Sequence, residues 1–308
     1  MIRIGVCSWT EKSLVASGEF YPREARTAEA RLQYYASRFN AVEVDSTYYA
    51  IPDQRTAWLW DMRTPEGFTF HIKAYGALTG HPIDPKTLPG HMREGVQDTH
   101  TQGRHVYVKD RAVLAAIAEA FHDSLMPLRR TGKLGLLVYQ FPPWFDYRQA
   151  NLDYILFCRD LTAGMPLAVE FRHGSWLTSR VAPTVFGFLK SHDITYVAAD
   201  EPQVGTLATA PFLPGVTAET AYFRFHGRNR ENWMKKNVET SLRYAYSYSD
   251  AELQDFIPAM KEADRQAKTT YAMFNNCHRA FATTNGLRLK ALLAKAGEAP
   301  DQQPGESA

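Results

Sequence analysis

Residues 168–176 read Ala-Val-Glu-Phe-Arg-His-Gly-Ser-Trp, a short apolar strand whose carboxyl end carries charged and aromatic side chains. Because side chains alternate between the two faces of a strand, Glu170 and Arg172 share one face, and Val169 and Phe171 share the other. Charged groups at the end of an apolar strand indicate that this end faces a ligand. Three further apolar runs end in the same way, on Glu43 and Asp45, on Arg224 and His226, and on Asn275 and Asn276.

Eight β-rich runs alternate with amphipathic helical stretches along the chain. The predicted strands are Arg3–Ser8, Ala41–Asp45, Phe68–Ala74, Leu134–Phe141, Leu167–Phe171, Thr195–Asp200, Ala221–His226 and Thr270–Asn275. The predicted helices are Glu29–Phe39, Gln54–Met62, Arg111–Leu125, Arg148–Leu161, Ala182–Ser191, Asp250–Lys268 and His278–Ala296. This alternation predicts a single-domain (β/α)8 TIM barrel. An open dinucleotide-binding sheet is less favoured, since the sequence has no Gly-x-Gly-x-x-Gly motif.

Composition narrows the class of protein. The chain has 308 residues, of which 45% are hydrophobic, and a formal net charge of +2 that gives no overall reason for binding nucleic acid. No apolar run approaches the roughly 20 residues of a membrane span, and the amino terminus reads as a first strand rather than a signal peptide. Three scattered cysteines, Cys7, Cys158 and Cys277, fit a reducing compartment. We therefore expect a cytoplasmic protein with no membrane segment.

Two connections and the tail depart from the regular alternation. Residues 75–109 form a long excursion after the third strand with four histidines, whose spacing matches no metal-ligand pattern; loops of this length are often lids. Residues 201–219 have no helical period and predict an irregular crossover. The barrel domain is therefore expected to span residues 1–296. Residues 297–308 are polar and rich in turn formers, which predicts a disordered tail.

The polar strand ends define a candidate site, because active sites of (β/α)8 barrels lie at the carboxyl ends of the strands. The alternation of side chains along the strands places the polar faces toward the barrel interior. A barrel interior is normally filled by branched aliphatic side chains, so this many charged groups exceed what stability alone requires. The catalytic candidates are Glu43, Glu170, Asp200 and His226. The substrate-binding candidates are Trp9, Asp45, Tyr48, Lys73, Gln140, Arg172, His173, Trp176, Arg224, Asn275 and Asn276.

This set of residues favours an enzyme that acts on an anionic small molecule by acid/base chemistry. The guanidinium groups of Arg172 and Arg224, with Lys73, suit a phosphate or carboxylate. His226 can exchange a proton near neutral pH, and Glu170 can act as a base or orient Arg224. A purely structural ion-pair network is the competing interpretation of the same residues.

Two other functions stay open. Glu170, Asp200 and His226, with or without Glu43, could hold a divalent metal in a phosphodiesterase or sugar-isomerase-like enzyme, although neighbouring arginines would compete for the carboxylates. No cofactor is expected otherwise. The third possibility is a non-enzymatic module that binds a ligand or single-stranded nucleic acid, which a net charge of +2 does not favour.

Six motifs follow each other along the chain: Gly5-Val6-Cys7-Ser8-Trp9, residues 42–49 (Val-Glu-Val-Asp-Ser-Thr-Tyr-Tyr), Gln140-Phe141-Pro142-Pro143, Glu170-Phe171-Arg172-His173 through Trp176, Arg224-Phe225-His226-Gly227, and Phe274-Asn275-Asn276. Together they resemble the YecE-like family, a domain of unknown function (DUF72). The resemblance covers nearly the whole chain and implies a (β/α)8 barrel. The family usually has glycine at the position of Ser8 and asparagine at that of Asp45. It supplies no reaction, because the family has no settled activity.

Overall fold

Eight parallel strands close into a barrel in a computed structural model that describes residues 1–93, 96, 101–102 and 105–297. The strands are β1 (Ile2–Cys7), β2 (Ala41–Val44), β3 (Thr69–Lys73), β4 (Leu134–Gln140), β5 (Leu167–Glu170), β6 (Thr195–Asp200), β7 (Thr220–Phe225) and β8 (Thr269–Phe274). Each pairs with its neighbours in sequence, and β1 closes the ring by pairing with β8, with Val6 beside Phe274. The predicted (β/α)8 TIM barrel is confirmed.

Helices cover the outside of the barrel. They are α1 (Lys12–Ser17), α2 (Ala28–Ala36), α3 (Gln54–Met62), α4 (Arg111–Arg130), α5 (Gln149–Leu161), α6 (Ala182–Ser191), α7 (Arg230–Trp233), α8 (Thr240–Arg243), α9 (Asp250–Gln266) and α10 (Phe281–Lys295). All seven predicted helices are present. The sequence interpretation missed the short helices α1, α7 and α8, because one or two turns carry too little periodicity to be recognised.

The two faces of the strands pack into separate hydrophobic layers. The outer layer, under the helices, contains Val169 and Phe171, as the strand phase predicts. A second cluster lies inside the barrel and consists of Cys7, Ala41, Leu136, Val138, Ala168, Val197, Tyr222, Tyr271 and Met273. Polar side chains replace apolar ones above this cluster, toward the carboxyl ends of the strands. The barrel interior therefore contains an apolar cluster below and charged side chains at the carboxyl ends of the strands.

The irregular connections lie partly outside the described residues. Within the long excursion, Thr101–Gln102 pairs antiparallel with His105–Val106, and Ile83 makes an isolated bridge to Val106. The crossover at 201–219 has no helix, as predicted. His100 and the tail beyond residue 297 fall outside the described part, so the prediction of a disordered tail stays a prediction. No helix within the described ranges is long and apolar enough to cross a membrane.

Candidate active site at the carboxyl end of the barrel

Arg224, near the end of β7, is the centre of a buried charged network. Its side chain is fully buried, and its Nη1 donates to Gln140 Oε1 at 2.9 Å and to a carboxylate oxygen of Glu170. Its Nη2 donates to Glu43 Oε1 at 2.7 Å. A buried guanidinium is tolerated only when it is paired in this way. We call Arg224 with Glu43, Gln140, Glu170, His226 and Asn275 the inner network.

Glu170 is the most completely paired carboxylate of the inner network. Besides Arg224, it accepts hydrogen bonds from Arg172 Nη1 at 3.2 Å and from His226 Nε2 at 3.0 Å. Burial alone would raise its pKa, but Arg224, followed by His226, holds the pKa of Glu170 well below its usual range. Glu170 is therefore ionised at every physiological pH.

His226 has both ring nitrogens engaged. Asn275 Nδ2 lies 2.8 Å from Nδ1 and donates to it, which leaves the ring proton on Nε2 for the hydrogen bond to Glu170. Burial lowers the pKa of His226 to about 3, so the imidazole is neutral near pH 7. The two partners leave His226 no free lone pair with which to accept a substrate proton.

Glu43, at the opposite side of the network, keeps its proton more readily. Its two oxygens accept from Arg224 and, at 2.8 Å, from the hydroxyl of Tyr222. Burial raises the pKa of Glu43 to about 7, although Arg224 opposes this shift. Asp45, directly after β2, raises it further, because two neighbouring carboxylates resist ionising together.

Another buried carboxylate, that of Glu201, lies directly after β6 and faces the barrel interior. Its Oε2 is 2.8 Å from Arg172 Nε, and its Oε1 accepts from the Ala210 amide at 2.8 Å. Burial raises the pKa of Glu201 to about 7, against the lowering effect of Arg172. The Arg172 guanidinium also lies over the Trp233 ring, 5.0 Å from its centre.

The sequence interpretation placed Asp200 at the site, and the structure places it elsewhere. Val197 of β6 faces the barrel interior, and Tyr196 and Ala198 belong to the outer layer. The same alternation directs Asp200 outward, where it pairs with Arg228 at 2.9 Å and accepts from the Tyr248 hydroxyl at 2.6 Å. Glu201 takes the interior position instead. The run Ala198-Ala199-Asp200-Glu201 has no polar alternation that could have set the phase.

A partly open cavity of about 190 Å³ is lined by Arg172 and Glu201. This volume is below the roughly 300–1,000 Å³ of pockets that hold drug-sized ligands. It is lined by Gln140, Pro143, Arg172, Glu201, Ala208, Thr209, Trp233, Met234, Arg243 and Tyr244. The Nε of Arg243 is buried without a hydrogen-bond partner. We call Arg172, Glu201, Trp233, Arg243 and Tyr244 the cavity wall.

The ends of β2 and β3 supply a third group of charges. Lys73 Nζ lies 3.7 Å from Asp45 Oδ1 and 5.1 Å from the centre of the Tyr48 ring. Although burial would lower the pKa of Lys73, Asp45 raises it above its usual value, so the amine is charged. The Tyr48 ring also contacts the ring of His81, a histidine of the long excursion.

The remaining candidates lie outside the cavity. Trp9 packs edge-on against Trp60 and Phe70, and Trp176 is fully buried, stacked on Phe171, with its indole donating to the Phe145 carbonyl. Both tryptophans therefore belong to the outer core instead of shaping a pocket.

Two polar candidates serve local backbone structure. His173 Nδ1 accepts from the Ser175 amide and so caps the turn at Gly174–Leu177. Asn276 Nδ2 donates to the Tyr246 carbonyl and to Asn285 Oδ1. Of the pair of asparagines, only Asn275 joins the inner network. The aromatic residues that do line the cavity, Trp233 and Tyr244, come from the α7–α8 segment that the sequence interpretation missed.

Metal ligation was the second hypothesis for these residues. Among the described side chains, no group of three or more His, Cys, Asp or Glu is arranged to hold a metal ion. The carboxylates of Glu43 and Glu170 are both engaged by Arg224.

A closed parallel barrel with charged groups at the carboxyl ends of its strands defines a (β/α)8 barrel protein. The family model described as "Protein of unknown function DUF72" matches residues 3–308, and the chain belongs to this family. It is 32% identical over 296 residues to the UPF0759 protein YunF of Bacillus subtilis (strain 168), with 95% of each chain covered.

Solved structures of the same family have the same fold. A DUF72 family protein of Enterococcus faecalis V583 superposes with a TM-score of 0.77 at 27% identity, with 100% of both chains covered. Another, from Thermotoga maritima MSB8, superposes with a TM-score of 0.75 at 32% identity, covering 96% of this chain and 99% of that chain. These relatives establish family and fold, and their names state no reaction.

Proposed function

We propose that this protein is an enzyme that binds a small anionic molecule in the cavity at the barrel mouth and transfers a proton to or from it. The observation that carries the proposal is that one cavity is lined by Glu201, by its ion-pair partner Arg172 and by a second cation, Arg243. A buried acid whose pKa lies near neutrality, beside groups that bind anions, is the arrangement expected of an acid/base site.

The anionic group of the substrate is received by Arg243 and Arg172. Arg243 Nη2 donates to the Lys235 carbonyl at 3.0 Å, which fixes the side chain, while its buried Nε has no acceptor. A phosphate or carboxylate oxygen would supply that acceptor. Such charge-assisted hydrogen bonds are roughly twice as strong as neutral ones.

Glu201 is the proton-transferring group in this proposal. It lines the cavity, and burial raises its pKa to about 7, so it is divided between its two protonation states near neutral pH. Glu170 is less suited to the role because three donors hold it ionised. We therefore assign Glu170 and His226 to positioning: they hold Arg172 and Arg224 in place under the cavity.

The proposal is tested with a panel of small phosphate esters and carboxylates incubated with the protein in heavy water. Turnover or deuterium incorporation, followed by proton and phosphorus NMR, is expected for at least one compound. Glu201→Gln removes the titrating group at nearly constant shape and should reduce the rate at least about 100-fold, in line with the contribution of a general acid or base. Arg288→Gln, a surface cation paired with Asp250, is the control and should retain the wild-type rate.

Two results would contradict the proposal. One is a Glu201→Gln rate equal to that of the wild type. The other is the absence of any panel compound whose binding is weakened by Arg243→Gln, because the cavity would then not be an anion site.

A further inference from the structure

Three charged groups at the ends of β2, β3 and β7 approach each other without making hydrogen bonds. Asp45 Oδ1 lies 3.7 Å from Lys73 Nζ and 3.8 Å from Arg224 Nη2. Hydrogen bonds between such atoms are about 2.7–3.2 Å long. Asp45 Oδ1 is nevertheless buried, and it has no hydrogen-bond partner.

This spacing is unusual because leaving a buried acceptor unpaired costs about 1–3 kcal/mol. The backbone around the three charged groups is well fixed. Thr47 donates its hydroxyl to the Val44 carbonyl at 2.8 Å and to the Lys73 carbonyl at 2.6 Å, so the ends of β2 and β3 are fixed to each other. The three charged groups are thus held near one another with a polar atom left free.

We propose that this cluster is a subsite for a hydroxyl group of the substrate, which makes the substrate class hydroxylated anions: hydroxycarboxylates or phosphorylated polyols. A hydroxyl both donates and accepts. It would donate to Asp45 Oδ1 and accept from Lys73 Nζ. A second anionic group would be repelled by Asp45, and an ammonium group would be repelled by Lys73 and Arg224.

The subsite adjoins the cavity through a single guanidinium. Arg224 Nη1 donates at 2.9 Å to Gln140, which lines the cavity, and Nη2 of the same group faces Asp45. Tyr244 of the cavity wall also interacts electrostatically with Lys73. In the proposed arrangement the anionic group of the substrate lies against Arg243 and Arg172, and its hydroxyl lies against Asp45. This inference rests on the proposed anion site.

Matched pairs of compounds test the subsite. Glycerate is compared with propionate, and glycerol 3-phosphate with propyl phosphate, by titration monitored at the indole N–H signal of Trp233 in the cavity wall. The hydroxylated member of at least one pair should bind at least about tenfold more tightly, because a site built to hydrogen-bond a hydroxyl discriminates strongly against its absence. The pair that shows the preference identifies the anion as carboxylate or phosphate.

Variants at position 45 test whether the preference for hydroxylated compounds depends on a hydrogen bond to Asp45. Asp45→Ala should abolish the preference, so that the hydroxylated and the plain member of each pair bind equally tightly. Asp45→Asn keeps an acceptor oxygen and should retain most of the preference. Asp53→Ala removes a carboxylate from the same β2–α3 connection, where it caps α3, and should leave the preference intact.

The outcomes distinguish this inference from the proposed function. Equal binding within both pairs, or a preference that Asp45→Ala leaves unchanged, overturns the subsite while the anion site stands. If Arg243→Gln does not weaken binding of any of the four compounds, or none of them binds, both proposals fail.

Discussion

The inner network and the cavity wall lie next to each other inside the same barrel, yet they differ in how completely their charges are paired. In the inner network, Glu170 accepts three hydrogen bonds and both ring nitrogens of His226 are occupied. In the cavity wall, Arg243 Nε has no partner. Among the buried donors that the structure describes in the inner network, Arg224 Nε is also without a hydrogen-bond partner.

This difference separates two tasks that the sequence presents as one ring of polar residues. A closed network fixes the positions of its members and has little capacity to exchange protons or accept a ligand. The cavity wall borders open space and has an unpaired guanidinium nitrogen, Arg243 Nε, so it has both capacities. The structural and the functional interpretations of the polar ring therefore apply to different residues of it.

Replacement of Arg224 should give the largest effect on stability. Arg224→Met leaves Glu43 and Glu170 buried without their cation, and breaking a buried pair in this way costs about 3–5 kcal/mol. Urea unfolding at pH 7 measures the loss. Arg243→Gln, in the cavity wall, should change the free energy of unfolding by less than about 0.5 kcal/mol, as expected of sites without such pairing. Equal losses in the two variants would remove the distinction between the two regions.

Much of the fold could be predicted because each strand repeats the same signal. Apolar residues on one face and polar residues on the other fixed the phase of β2, β3, β5 and β7, and the ends of the predicted strands agree with the structure to within two residues. Ser8 adds a backbone detail. It has φ of 113°, a backbone conformation that favours glycine.

The site was harder to predict for two physical reasons. In β6, small apolar residues lie on both faces, so the sequence does not indicate which face points into the barrel. Asp200 was predicted as the site residue, whereas Glu201 is the one that faces the interior. The wall residues Trp233 and Tyr244 come from a segment of short helices whose position over the mouth depends on tertiary packing. Trp9 and Trp176 were chosen as pocket walls because composition alone does not distinguish a core aromatic from a binding one.

The pH dependence of stability should differ in sign between Glu201 of the cavity wall and Glu170 of the inner network. Glu201 stays protonated in the folded protein up to about pH 7, whereas an unfolded glutamate loses its proton above about pH 4.3. Between these values the folded state binds the extra proton, so the contribution of Glu201 to stability falls as pH rises. Glu201→Gln should therefore gain stability relative to the wild type between pH 5 and 7, by up to about 1.4 kcal/mol per pH unit.

Glu170→Gln provides the contrast in the same set of urea titrations. The pKa of Glu170 is lowered, so this group is ionised in both states above about pH 5, and its contribution is lost only as pH falls below that range. The difference between Glu170→Gln and the wild type should be constant from pH 5 to 7. A parallel pH dependence for the two variants would show that Glu201 is as fully paired as Glu170.

The smallest effect is expected at Ser8, where backbone strain adjoins the inner network. Ser8 follows Cys7, whose Sγ lies 3.9 Å from Arg224 Nη2. A non-glycine residue at positive φ costs about 1–3 kcal/mol, and Ser8→Gly gives up only an exposed 3.2 Å bond from the Thr10 amide.

Ser8→Gly should raise the free energy of unfolding by about 1 kcal/mol, measured in urea. Ser17→Gly, at the last residue of α1, should lower it by about 0.5 kcal/mol, because no positive φ is relieved there and the hydrogen bond from the Ser17 hydroxyl to the Leu14 carbonyl is lost. Ligand binding at the cavity wall should be the same in both variants; a loss of binding in Ser8→Gly alone would mean that the strained backbone at the end of β1 helps to shape the open region as well as the closed one.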